Sequence, residues 1–111
     1  MAKTTTKTAK RVRGSSTGRP IMVALDLLGR RWSLRILWEL RGGPLSFRAL
    51  QAACGQLSPS VLQQRLNDLR EARLVGHDGE SGYALTDQAM KLQPLLLALD
   101  RWATDWAAEA S

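Results

Sequence analysis

One cysteine, Cys54, and one histidine, His77, are all that the 111 residues hold of the two commonest soft metal ligands. An internal disulfide is therefore excluded, and a lone thiol cannot anchor a metal cluster without many partners. The carboxylates are scattered singly, no nucleophile–base pair is visible, and no Gly-rich phosphate loop follows a strand. Nothing in the chain supports catalysis, so neither an enzyme nor a cofactor or metal site is expected. Long apolar runs are also missing. None approaches the roughly 20 residues that would cross a bilayer. The opening stretch, MAKTTTKTAKRVRGSSTGRP, lacks the apolar core of a secretory signal. A cytoplasmic location with no membrane partner is the expectation.

Acids are absent from residues 1–19, which carry Lys3, Lys7, Lys10, Arg11, Arg13 and Arg19. Taking those six from the 16 basic residues leaves ten, against ten acids in the rest of the chain. The whole formal surplus of +6 thus sits in the leading segment. That segment is rich in Thr, Ser, Gly and Lys and has almost nothing to bury, so it is expected to be a disordered basic arm. Such arms neutralise phosphates and give salt-dependent, sequence-independent affinity. The same composition also serves a solubilising tail. One folded domain, 20–109, is expected to follow, because the length allows one small core and not two.

Pro20 opens the ordered part. Ile21, Ala24, Leu25 and Leu28 recur at helical spacing, and Gly29 offers a stop. A second helix is expected over Arg30–Arg41. Trp32, Ile36, Leu37 and Leu40 give its stripe, widened by Leu34 and Trp38, with both tryptophans in the core. Gly42-Gly43-Pro44 ends it. Leu45 forms one short strand. Ser46 caps a third helix, Phe47–Cys54, whose buried positions are Phe47, Ala49, Leu50 and Ala53. Cys54 is read as a small buried hydrophobe.

Leu57–Leu69, LSPSVLQQRLNDL, is the stretch around which the rest is arranged. Ser58 is a good N-cap, and Pro59 suits the first helical position, where its missing N–H costs nothing. Leu57 and Leu62 stand at staple positions around the cap. Leu62, Leu66 and Leu69 share one stripe. Ser60, Gln63, Gln64 and Asn67 lie on the other side, and such side chains can hydrogen-bond base edges. An ordinary surface helix has the same kind of polar face. The helix runs to about Ala72. Leu74-Val75 and Tyr83-Ala84-Leu85 read as strands of a hairpin around the turn residues 78–82. His77 sits on it with no special role expected. Thr86 caps a last helix reaching about Ala108, which Pro94 should kink or split. Its apolar face is too broad for a helix that touches only its own domain.

Two short helices joined by a Gly-containing turn make a helix-turn-helix, and the hairpin after it makes a wing. The expected class is mainly α (α+β): a winged helix-turn-helix domain of about five helices with a two- or three-stranded wing sheet. In that arrangement the second helix of the pair lies in the major groove.

Several blocks, in order, resemble one family. They are Ala24–Trp32 (ALDLLGRRW), Ile36–Leu40 (ILWEL), Gly43–Leu50 (GPLSFRAL), Ser58–Leu66 (SPSVLQQRL), Leu74-Val75, Tyr83–Thr86 and the helix bearing Pro94. Together they resemble the HxlR-type winged-helix transcription regulators of bacteria over roughly 20–107. The resemblance implies a homodimer built from the first and last helices, with two recognition helices on a pseudo-palindromic operator. Ile21, Leu25, Leu95, Leu99, Trp102 and Trp106 are then the dimer residues. Many members carry a cysteine just before the first helix, some of them sensing oxidants with it; Arg19 stands in that place here. The hairpin is shorter than is usual in the family, and its tip holds Asp78 and Glu80 with no Lys or Arg. Such a wing repels phosphates, and the basic arm is a candidate substitute.

In this context Ser60, Gln63, Gln64 and Asn67 are the candidates for base contacts. Candidates for phosphate contacts are Ser46 and Ser58 at helix starts, Arg48 on the first helix of the pair, and Arg65 and Arg70 flanking the stripe. The last two, like Arg30 and Arg31, could equally be solvated. The function that emerges is a sequence-specific, double-stranded-DNA-binding regulator, with repression the expected sign because a small dimer over a promoter blocks polymerase. The effector is unknown. The alternative is a winged-helix protein-interaction module whose DNA affinity is non-specific and comes from the arm alone.

Overall fold

The computed structural model describes residues 18–110. Apart from Gly18 and Arg19, the basic arm lies outside the described residues. Helix α1 spans Pro20–Leu28, with Pro20 at its first position and Gly29 as its C-cap. Its sequence, PIMVALDLL, is apolar nearly all round, so periodicity alone does not choose the inner face. Val23 and Leu27 are buried, whereas Ile21 and Leu25 stay 58% and 56% exposed. Of the stripe read from the sequence, Ile21 and Leu25 thus face outward, while Ala24 is half-buried and Leu28 packs against the core.

The second helix is shorter than Arg30–Arg41. Helix α2 spans Ser33–Glu39 and tightens into a 3-10 turn over Leu40–Gly42. Trp32 precedes it in the left-handed region, at φ 79°. A bulky residue adopts that conformation only where its surroundings enforce it. Trp32 and Trp38 pack against the core without being buried. Each carries an arginine on its ring: Arg31 5.3 Å from the Trp32 centroid and Arg41 3.8 Å from that of Trp38. The large amphipathic rings bridge core and solvent instead of filling the interior.

Helix α3 (Phe47–Ala53) and helix α4 (Pro59–Glu71) form the helix-turn-helix. Ala49 is exposed, contrary to expectation, because the short α3 turns only Leu50 fully inward. Both caps form as expected: Ser46 Oγ accepts the Ala49 N–H at 3.0 Å and Ser58 Oγ that of Val61 at 3.2 Å. The turn between the helices is held by the Gln51 side-chain amide, which donates to the Leu57 carbonyl at 2.8 Å.

Strands β1 (Val75–His77) and β2 (Tyr83–Leu85) pair antiparallel, with His77 opposite Tyr83. Leu45 pairs with the other edge of β2 as a single-residue bridge, exchanging two backbone hydrogen bonds with Tyr83. Asp78 Oδ1 accepts the N–H groups of Glu80, Ser81 and Gly82, which closes the tip. Those donors, that of Glu80 foremost, hold the exposed Asp78 carboxyl below its ordinary pKa. Gly82 has φ 98°, and a Cβ there would run into the Leu45 carbonyl. Only glycine fits that crossing.

Thr86 caps helix α5 (Asp87–Met90), and the chain restarts as helix α6 (Gln93–Ala110), with Pro94 in its first turn. The expected split occurs just before Pro94, so that its missing N–H falls where it is harmless. Ile36, Leu37, Leu40, Leu50, Leu62, Leu66 and Leu69 form the centre of the core, at 0–1% exposure. No described helix is long and apolar enough to cross a membrane.

Candidate nucleic-acid interface

Helix α4 is fixed from behind and open in front. Leu62, Leu66 and Leu69 are each at 0% exposure, about one turn apart, and seat the helix on the core. The opposite face carries Ser60, Gln64 and Asn67, all exposed, with Gln63 half-buried beside them. The structure therefore brings all four candidate base-contact residues to one side of one helix. Gln63 Nε2 donates to Asn67 Oδ1 at 3.0 Å, so two of them form a linked amide pair. Ser60 Oγ lies 3.4 Å from Ser58 Oγ at the helix start.

The candidate phosphate contacts come from both helices of the pair. Ser46 and Ser58 stand at the starts of α3 and α4, where free backbone N–H groups point outward. Arg48 and Arg70 are exposed, and their guanidinium groups meet no partner among the described residues. Arg65 differs. Its Nε donates to the Arg31 carbonyl at 3.0 Å and its Nη1 to Asp68 Oδ2 at 2.8 Å, which commits two of its three nitrogens inside the protein.

Asp68 is the residue that sequence reasoning passed over. An acid next to Asn67 on an amphipathic helix reads as solvated. In the structure it is 7% exposed and meets both Arg65 and Arg30, the latter at 3.1 Å. Arg30 lies 38 positions earlier, so no local signal could have revealed the pair.

Away from this face, Cys54 is buried, and burial raises its thiol pKa above the ordinary value. His77 is exposed, with its ring edge-on to Tyr83 and its Nδ1 accepting the Gly79 N–H. Among the described residues, no group of His, Cys, Asp or Glu could hold a metal ion. The remaining candidates form a separate apolar surface. Leu95, Leu99, Trp102 and Trp106 follow one face of α6 at 48–64% exposure, and the two indoles stack at 5.4 Å.

A helix-turn-helix seated by its leucines, followed by a hairpin, defines a winged helix-turn-helix domain, the architecture of many DNA-binding regulators. The sequence model of the HxlR-like helix-turn-helix family matches residues 27–111, and the chain belongs to that family. It is 35% identical over 89 residues to the HTH-type transcriptional regulator YvaP of Bacillus subtilis, covering 75% of this chain and 82% of the relative. To the HTH-type transcriptional regulator sll1512 of Synechocystis it is 30% identical, covering 83% and 73%. Among solved structures, the quinone-bound YodB of B. subtilis superposes with a TM-score of 0.70 at 30% identity, covering 78% of this chain and 98% of that one. A MarR-family structure from Enterococcus faecalis, 23% identical with a TM-score of 0.69, shares the fold. These relatives are named as regulators, not as enzymes.

Proposed function

We propose that this chain is a homodimeric, cytoplasmic transcription regulator that represses by occupying a pseudo-palindromic operator. The observation that carries the reading is the amide face of α4. Ser60, Gln63, Gln64 and Asn67 sit together on the second helix of the helix-turn-helix, backed by three wholly buried leucines. Gln and Asn can bond adenine at N6 and N7 together in the major groove. Arg48, Arg70 and the helix starts at Ser46 and Ser58 contact phosphates around that face. Arg65 adds only its remaining nitrogen, Nη2. The arm over 1–19 supplies backbone affinity where the acidic wing tip does not.

A second copy of the chain covers Ile21, Leu25, Leu95, Leu99, Trp102 and Trp106. An apolar groove of about 250 Å³ between α2 and α6, lined in part by Leu34, Trp38, Leu96 and Leu99, adjoins that surface. Two-fold pairing of the α1 and α6 faces would remove these side chains from water and relate two copies of α4 by the same axis.

Selection of bound sequences from a random duplex pool tests the reading. A two-fold-symmetric consensus is expected; no enriched sequence would sink it. The formal neutrality beyond residue 19 and the acids at the wing tip favour one rival, a protein-interaction module. That rival predicts DNA binding that vanishes with the arm and enriches nothing.

A further inference from the structure

We infer that Asp68 is a positioning residue that sets the pose of α4 for operator discrimination, through an ionic latch to the corner between α1 and α2. The inference rests on α4 being the reading helix and deepens that proposal.

The latch has three links. Asp68 Oδ2 accepts from Arg65 on its own helix at 2.8 Å and forms an ion pair with Arg30 Nη1 in the corner at 3.1 Å. Arg65 Nε also donates to the Arg31 carbonyl at 3.0 Å. One buried carboxylate oxygen therefore serves two guanidinium groups, and one of these grips the corner backbone as well. The corner is otherwise held at a cost. Trp32 follows Arg31 with φ 79°, and Ser33 after it is wholly buried with no hydrogen-bond partner for its Oγ. A non-glycine residue in that region is strained and persists only when its neighbours over-determine it. The contacts from α4 contribute to that restraint.

Asp68 lies one helical turn beyond Gln64 and directly after Asn67, between the buried leucines and the amide face. A displacement there changes the direction in which the whole amide face points. The corner, in turn, follows α1, the helix that the proposed dimer packs. The latch thus joins the helix proposed to dimerise to the helix proposed to read. Replacing the carboxylate by a neutral amide leaves two guanidiniums facing each other, which pushes the corner away from α4.

The test uses the full chain, the duplex enriched by selection and a shuffled duplex of the same composition. Asp68→Asn and Arg30→Gln are measured beside Gln63→Ala and Gln64→Ala, each checked by thermal unfolding to be folded at the assay temperature. The expected result for both latch variants is a loss of about tenfold on the enriched duplex, the order of one mismatched base pair. Affinity for the shuffled duplex and the salt slope should not move. Should Asp68→Asn fail to fold, Arg30→Gln decides, because it leaves the Arg65–Asp68 pair intact. Unchanged discrimination in the latch variants, with discrimination lost in the glutamine variants, overturns the latch and leaves α4 as the reader. A uniform loss on both duplexes for Arg30→Gln, with the slope flattened by about one, makes Arg30 a phosphate contact and also overturns it. Unchanged discrimination in all four variants overturns the reading role of α4 and the latch with it.

Discussion

Replacing Trp102 and Trp106 together by alanine should convert a dimer into a folded monomer. The two rings are 58% and 59% exposed in the single chain, and they stack on each other. A tryptophan can bury about 150–250 Å², so each ring holds roughly 100–140 Å² still open to water. At about 25 cal/mol per Å², covering both rings in both protomers is worth on the order of 10 kcal/mol before costs. Ordering, incomplete coverage and lost rigid-body freedom remove much of that. A net loss of about 4 kcal/mol is a fair expectation, which weakens the dimer roughly a thousandfold. Sedimentation equilibrium across a micromolar concentration series measures it. The monomer itself should barely notice, since exposed substitutions usually stay within about 0.5 kcal/mol. Far-UV circular dichroism and the melting temperature at high dilution check that. An unchanged dimer constant would refute the assignment of this face, and a parent chain that stays monomeric throughout would refute the dimer.

Other outcomes follow from the same structure. Gly82→Ala puts a Cβ against the Leu45 carbonyl at φ 98° and should cost about 3 kcal/mol, read as a fall of roughly 10 °C or more in Tm. Native Cys54 should react slowly with a disulfide reagent and quickly once denaturant is added, because it is 2% exposed and burial opposes its thiolate. The same raised pKa means that alkaline pH favours the unfolded chain, whose thiol ionises first; stability is lost as pH rises past the ordinary thiol pKa. Deleting residues 1–18 should lower affinity for any duplex and flatten the salt dependence by about 0.9 for each phosphate that the arm neutralises. Identical salt curves with and without the arm would make it a solubilising tail.

What could be read from the sequence was local. The caps at Ser46, Ser58 and Thr86 each accept a hydrogen bond three residues on, and the chemistry that makes them caps lies within that span. Pro94 and the turn residues around Gly79 and Gly82 act on their own backbone, so the split last helix and the hairpin followed. The leucines of α4 were legible because its polar residues leave only one apolar stripe. Helix α1 was not, because eight of its nine residues are apolar and only packing distinguishes Val23 and Leu27 from Ile21 and Leu25. The left-handed Trp32 carries no glycine or asparagine to announce it. Asp68 was the largest omission in the site, since its burial depends on an arginine from another part of the fold.

The amide face itself is more constrained than four separate side chains would be. Gln63 Nε2 already donates to Asn67 Oδ1, so that oxygen is partly used before any base arrives. Reading adenine bidentately needs one acceptor and one donor from the same side. The linked pair still presents them, as Gln63 Oε1 and Asn67 Nδ2, but on two residues one turn apart. In the proposed reading the pair acts as a unit, and Gln64, exposed and outside it, acts alone. Loss of either Gln63 or Asn67 frees the other to rotate, so their effects on discrimination should fall short of additive, whereas Gln64 should add independently.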